Sequence, residues 1–147
     1  MSAHAVQDHY PDDFAHCYGC GRLNAHGLHV RTFWEADGTF ARFTPRPEHI
    51  ALPGFVYGGV IASLIDCHAI GTAAAYVERE AGRDIGDGPS PRFVTGTLTV
   101  RFLKPTPLGP ELDLPLPGPG LQVRGRQGLR PGSAGPSQWV AAGSARV

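Results

Sequence analysis

The sequence has no net charge, few cysteines and little hydrophobic character in its first residues. Its 13 basic and 13 acidic side chains cancel to a formal charge of zero. Nucleic acid and anionic bilayers are met by clustered positive charge, so neither is expected as a partner. A neutral total still leaves room for a local basic pocket that meets a phosphorylated ligand. The three cysteines, Cys17, Cys20 and Cys67, are odd in number and too sparse for a disulfide scaffold. The opening MSAHAVQDHYPDDF lacks a basic segment followed by an apolar run. A secretory leader is therefore not expected, and the expected location is the cytoplasm. No Gly-x-Ser-x-Gly elbow and no Gly-x-x-x-x-Gly-Lys loop occurs, which removes the serine-hydrolase and P-loop readings.

What is present reads as one domain. A chain of 147 residues, 41% hydrophobic and 18% charged, can bury a core without metal or disulfide support. Residues 1–16 are polar and read as an N-terminal extension, with Pro11, Asp12 and Asp13 marking a turn or helix start. Residues 28–35 (LHVRTFWE) read as a strand and Ala36-Asp37-Gly38 as a hairpin turn. Residues 39–44 (TFARFT) form the return strand, with Phe40 and Arg42 on one face and Ala41 and Phe43 on the other. Pro45 and Pro47 end it. A long helix is predicted from about Gly59 to about Glu80, closed by Gly82 as C-cap. Its apolar residues wrap more than one face, as in a helix buried on most sides. Asp66 and His68 near its middle argue against a membrane span, because ionisable groups are costly there. Residues 92–103 (RFVTGTLTVRFL) alternate most cleanly, with Val94, Leu98, Val100 and Phe102 on one face.

The chemistry concentrates in GFVYGGVIASLID, residues 54–66. Two glycines open a helix, where N–H groups are unpaired and the dipole is positive. Glycine also lets a substrate approach the main chain closely. The N–H groups near Gly58 and Gly59 can therefore form an oxyanion hole for a thioester carbonyl. Asp66 is the one carboxylate in the helix before its end. Set among Ala62, Ala69 and Ile70, it is expected to have a raised pKa and to act as base or nucleophile. The bland alternative is an Asp that only bonds neighbouring main chain, beside an ordinary tight helix entry. Seven residues separate Gly59 from Asp66, roughly 10 Å at 1.5 Å per residue. One carbonyl cannot touch both in the same chain, so the spacing predicts a composite site shared by two copies.

These residues resemble the hotdog-fold thioesterases related to the phenylacetate-degradation enzyme. That family has Gly-x-Val-His-Gly-Gly entering its central helix and an Asp nine residues after the His. Here GFVYGG and Asp66 stand at those offsets. A subset of the family carries Cys-x-x-Cys-Gly followed by Asn-x-x-Gly-Leu, which CYGCGRLNAHGLHV, residues 17–30, resembles. The run RFVTGTLTVRFLKPTPLG, residues 92–109, is similar to the family's strand after the helix. The resemblance implies an α+β hotdog fold: a five- or six-stranded antiparallel sheet curled round one helix. It also implies a homodimer, often paired again into a tetramer. The implied activity is hydrolysis of a small aromatic or short- to medium-chain acyl-CoA, with the Gly59 N–H as oxyanion donor, Gly58 beside it in the catalytic set, and Asp66 activating water or attacking the carbonyl. No metal and no cofactor is expected. Tyr57, Asn24, Arg101 and Lys104 are the expected substrate contacts, the last two toward CoA phosphates. Tyr57 stands where the family has His, and Ala51 where it commonly has a polar residue. His49, Ser63 and His68 are candidate replacements. A hotdog domain that binds an acyl-CoA or aromatic ligand without hydrolysis is the alternative.

Two further features need a reading. Cys17-x-x-Cys20 with His26-x-x-His29 offers ligand types that suit zinc, but the spacing is too short for a finger and no second cysteine pair follows. The expected reading is a loop whose cysteines pack against the core. From Pro105 to Pro136, 15 of 32 residues are Gly or Pro. Strands tolerate that density poorly, and only residues 121–123 and 139–142 look strand-like. The change after about Asp113 is what out-of-frame translation of a GC-rich coding sequence looks like. The tail, residues 114–147, is therefore expected either to make short broken strands or not to complete the sheet.

Overall fold

A computed structural model of the chain describes residues 4–36, 38–88, 93–117, 122–124 and 140–142. The helix is the organising element. α1 runs Gly58–Glu80, close to the bounds its glycines predict. Tyr57 precedes it with extended backbone, and the Tyr57 carbonyl accepts from Val60 and Ile61. At the far end Gly82 takes φ +70° and its N–H returns to the Arg79 carbonyl. That is the left-handed C-terminal turn for which glycine is favoured. α1 is long and apolar enough to cross a membrane, yet 67% of its most apolar window is buried inside the protein. Val60, Ile61, Leu64 and Ile65 are among its buried residues.

β1 (Phe33–Glu35) and β2 (Gly38–Phe43) form the expected hairpin, paired Glu35 to Gly38. Ala36 enters its turn at φ +46°, while Asp37 lies outside the described residues. Thr39, Ala41 and Phe43 face the core and Arg42 faces solvent, as the alternation predicts. β1 is shorter than expected. Residues 28–32 bond instead to the N-terminal segments: Leu28 N–H to the Tyr18 carbonyl, Val30 N–H to the Gly19 carbonyl, and the Thr32 carbonyl to Val6 N–H.

β3 (Leu112–Pro117) pairs antiparallel with β2 and makes the sheet order β1-β2-β3. It crosses the boundary at Asp113, beyond which at most short broken strands were expected. Leu112, Leu114 and Leu116 are buried against the core. Pro115 and Pro117 are two apart, so their missing N–H groups fall on one side of the strand. Among the described residues β3 is an edge strand, the place where a sheet tolerates proline. β4 (Gln122–Arg124) and β5 (Val140–Ala142) pair as a separate two-stranded sheet, near the two tail segments that looked strand-like. The remainder of the tail lies outside the described residues.

Among the described residues, the most regular predicted strand joins no ladder. Arg92 lies outside the described residues, and Phe93–Leu103 shows only a single bridge, at Thr97. Its alternation is only half used: Leu98 and Val100 pack on the core, while Val94 and Phe102 are exposed. A strand needs a neighbour to satisfy its N–H and C=O groups. A five- or six-stranded sheet is accordingly not present among the described residues.

The N-terminal residues are more than an extension. Ala5, Val6 and Gln7 are buried. Gln7 accepts from Thr32 N–H at 2.8 Å through Oε1 and bonds Thr32 Oγ1 at 3.1 Å through Nε2. Thr32 Oγ1 in turn meets His68 Nδ1 at 3.0 Å. The network pins the start of the chain to the middle of α1.

Candidate active site

Asp66 sits in the third turn of α1, half-buried rather than enclosed in the core. Its carboxylate accepts a hydrogen bond from the Thr95 hydroxyl. Both residues open onto a cavity of about 750 Å³ whose walls include Tyr10, Phe14, Ile70 and Phe93. Apolar and aromatic walls around one carboxylate are the usual make-up of a small-molecule site. Thr95 comes from the segment after the helix, 29 residues along the chain from Asp66.

Gly58 and Gly59 open α1 as expected. Among the described residues, the first helical N–H groups with main-chain acceptors are those of Val60 and Ile61. The two glycine N–H groups precede them and are the orphans that a helix start leaves. A Cβ at position 59 would lie 2.7 Å from Tyr57 Cζ, so a side chain there would displace the Tyr57 ring. The exposed Tyr57 ring thus lies against the second helical residue. Gly58 borders an open groove of about 330 Å³, together with Val56, Phe102 and Lys104. This groove shares no lining residue with the Asp66 cavity. Within one chain Gly58 and the Asp66 carboxylate therefore border different spaces.

The helix entrance is held by its loop. The turn Leu52-Pro53-Gly54-Phe55 closes with Phe55 N–H on the Leu52 carbonyl, and Gly54 takes φ +86°. Proline then glycine in the two central positions is the sequence of a type II turn. Val56 N–H bonds the Thr106 carbonyl and Leu108 N–H bonds the Gly54 carbonyl. These bonds hold Lys104–Leu108 alongside the glycines. Lys104 and Arg101 are both exposed, and both border a small crevice over Ile61 and Ile65.

The remaining predicted residues are occupied elsewhere. The Asn24 side chain donates to the His16 carbonyl at 3.1 Å and accepts from His26 N–H at 3.0 Å, which shapes its own loop. Ser63 donates to the Gly59 carbonyl at 2.9 Å within the helix. His49 is buried and stacked on Phe43, and its Nδ1 accepts from Arg46 N–H. Burial, with Arg46 beside it, lowers the His49 pKa. His68 is 4% exposed, and burial pushes its imidazole down to about 4, opposed in part by the Leu114 main chain. Ala51 makes only main-chain bonds in the turn, so no polar group is present there.

One grouping escaped the sequence reading. Cys17, Cys20 and Cys67 place their sulfurs within 4.8 Å of one another, against the same cavity as Asp66. The Cys67 thiol lowers the Cys20 pKa to about 7, against the opposing effect of burial. The same contact, together with burial, pushes Cys67 up. Burial also raises the Tyr10 phenol nearby. His26 and His29, the other half of the zinc pattern in the sequence, are not part of this group. His29 Nε2 is bonded to the Asn24 carbonyl at 2.5 Å. The hint in the sequence was the position of Cys67, next to Asp66 in the helix, but no local spacing ties it to a pair 50 residues away.

No family model and no curated protein matches the chain. Among solved structures it is similar to a thioesterase superfamily protein from Shewanella loihica PV-4, with 42% sequence identity and a TM-score of 0.52. The match covers 72% of this chain and 74% of that one. With one long helix, an antiparallel sheet and this degree of identity, the chain belongs to the thioesterase superfamily and has its hotdog fold.

Proposed function

We propose that the protein is a cytoplasmic acyl-CoA thioesterase, active as a homodimer, that hydrolyses a small aromatic or short- to medium-chain acyl-CoA. The observation that carries this reading is the half-buried Asp66 carboxylate at the wall of a largely apolar cavity of about 750 Å³. An acyl group occupies the apolar space. Asp66 activates water or attacks the thioester carbonyl itself, and the CoA thiolate leaves. The developing oxyanion is held by the N–H groups of Gly58 and Gly59. Those donors belong to the second subunit, a reading supported by Gly58, which in one chain borders a groove separate from the Asp66 cavity. Exposed Val94, Phe102 and Leu103 support a second copy that covers them. Exposed Lys104 beside Gly58 supports a role in meeting CoA phosphates, with Arg101 nearby.

One observation favours a second reading, a domain that binds the acyl-CoA without cleaving it. The Tyr57 ring lies against Gly59, where the family's His would stand, and hinders approach to the oxyanion donors. A single experiment separates the two. Wild type and Asp66→Asn are compared on a panel of aromatic and aliphatic acyl-CoAs, with turnover and affinity both measured. The enzyme reading predicts a loss of about 10²- to 10⁴-fold in kcat for Asp66→Asn, with binding retained. A folded wild-type dimer that binds acyl-CoA without turnover overturns it in favour of the binding domain.

A further inference from the structure

We propose that Cys17, Cys20 and Cys67 form a three-thiolate site for a thiophilic divalent cation of the zinc class, with its fourth position open to the Asp66 cavity. Zinc–sulfur bonds of about 2.3 Å in a tetrahedron set the sulfurs roughly 3.8 Å apart. Cys17 Sγ and Cys67 Sγ are 3.8 Å apart, and all three sulfurs lie within 4.8 Å of one another. A disulfide needs about 2.05 Å and uses only two sulfurs. The spacing therefore suits a shared ion better than a bond.

The scaffold is built for the convergence. Cys17 and Cys20 lie on a tight turn closed by Gly21 N–H on the Cys17 carbonyl at 2.8 Å. The turn is tied to residues 28–30 through the carbonyls of Tyr18 and Gly19. A Cβ at Gly21 would lie 2.5 Å from the Cys17 main chain, and one at Gly19 would run into the Cys67 sulfur. The glycines let the turn press onto α1 where Cys67 emerges. The charge balance points the same way. Asp66 and the three thiols share a cavity whose only basic lining residue, among the described residues, is His9. Once the thiols ionise, an anionic ligand set this poor in basic neighbours calls for a cation. Binding drives a proton from each thiol that ligates and leaves one tetrahedral position for water from the cavity.

This inference does not depend on thioester hydrolysis, and its test reads metal directly. Protein purified reduced, without chelator, is analysed for metal by mass spectrometry. It is then stripped and titrated with Co²⁺, whose thiolate charge-transfer and visible d–d absorption report tetrahedral sulfur ligation. One equivalent of metal per chain is expected, with the cobalt spectrum lost in Cys17→Ser and in Cys67→Ser and kept in the double variant H26A/H29A. Circular dichroism shows whether each variant is folded. Should a serine variant not fold, alkylation of metal-free and Zn²⁺-loaded wild type decides, with protection of all three cysteines expected. Reduced, folded wild type that gives no cobalt spectrum overturns the proposal. So does a spectrum that survives Cys67→Ser, or protection that leaves Cys67 reactive.

Discussion

Acidification from pH 7 to pH 4 is expected to cost the fold roughly 3 kcal/mol through His68 alone. The side chain is 4% exposed and its Nδ1 is paired with Thr32 Oγ1 at 3.0 Å. Protonation puts a positive charge where it is poorly solvated, and this outweighs the opposing effect of the Leu114 main chain, so the neutral ring is preferred in the folded state. Its pKa falls from 6.5 to about 4. A histidine with a depressed folded pKa binds fewer protons folded than unfolded. The stability it contributes is complete above pH 6.5 and is lost as pH falls toward 4. Each pH unit between those values is worth about 1.4 kcal/mol, which gives the roughly 3 kcal/mol above. Against a total of about 5–15 kcal/mol for a typical domain, this is a large fraction. Other groups titrate in the same range, so the assay is a difference. Urea unfolding of wild type and His68→Gln is followed at pH 7, 5.5 and 4.5 at constant ionic strength. Gln keeps hydrogen-bonding capacity toward Thr32 but does not titrate. The wild type should lose stability faster than the variant, by roughly 2–3 kcal/mol over the interval. Parallel losses in the two proteins would refute the argument, because His68 would then not be held neutral by its site.

Three glycine substitutions test the geometry elsewhere. Gly71→Ala places a Cβ 2.6 Å from Gln7 Nε2 and 2.8 Å from Thr32 Oγ1, both buried. Overpacking at about 1–3 kcal/mol outweighs a helix-propensity gain of about 1 kcal/mol, so thermal denaturation should show net loss. Gly82→Ala meets no atom within 4 Å but must hold φ +70°, so its cost is of the main chain alone, about 1 kcal/mol. A melting point lowered by more than roughly 8 °C would show that something else was broken. Gly59→Ala should fold, since the exposed Tyr57 ring can swing aside, but should lower kcat by roughly 10- to 100-fold on the thioesterase reading. Unchanged turnover would show that a Cβ at position 59 does not obstruct the substrate, and would refute the close-approach argument for this glycine.

The sequence by itself determined α1, the β1–β2 hairpin and the position of Asp66, because the signals for these are local. Paired glycines before an apolar run open a helix, Gly82 ends it, and alternation about Ala41 and Phe43 orients a strand. None of these requires knowing what lies across the fold. What only the tertiary structure decided depends on partners far apart in the chain. Alternation made 92–103 look like the best strand, yet a strand exists only when a neighbour takes its hydrogen bonds, and among the described residues only Thr97 makes a bridge. Proline density made 112–117 look unfit, yet on a sheet edge two prolines in step leave the pairing with β2 intact. Buried Gln7 owes its place to Thr32, 25 residues on. The neighbours of Asp66 were equally out of local reach. Thr95 arrives from beyond the helix, and Cys17 and Cys20 meet Cys67 only because Gly19 lets the turn close onto α1.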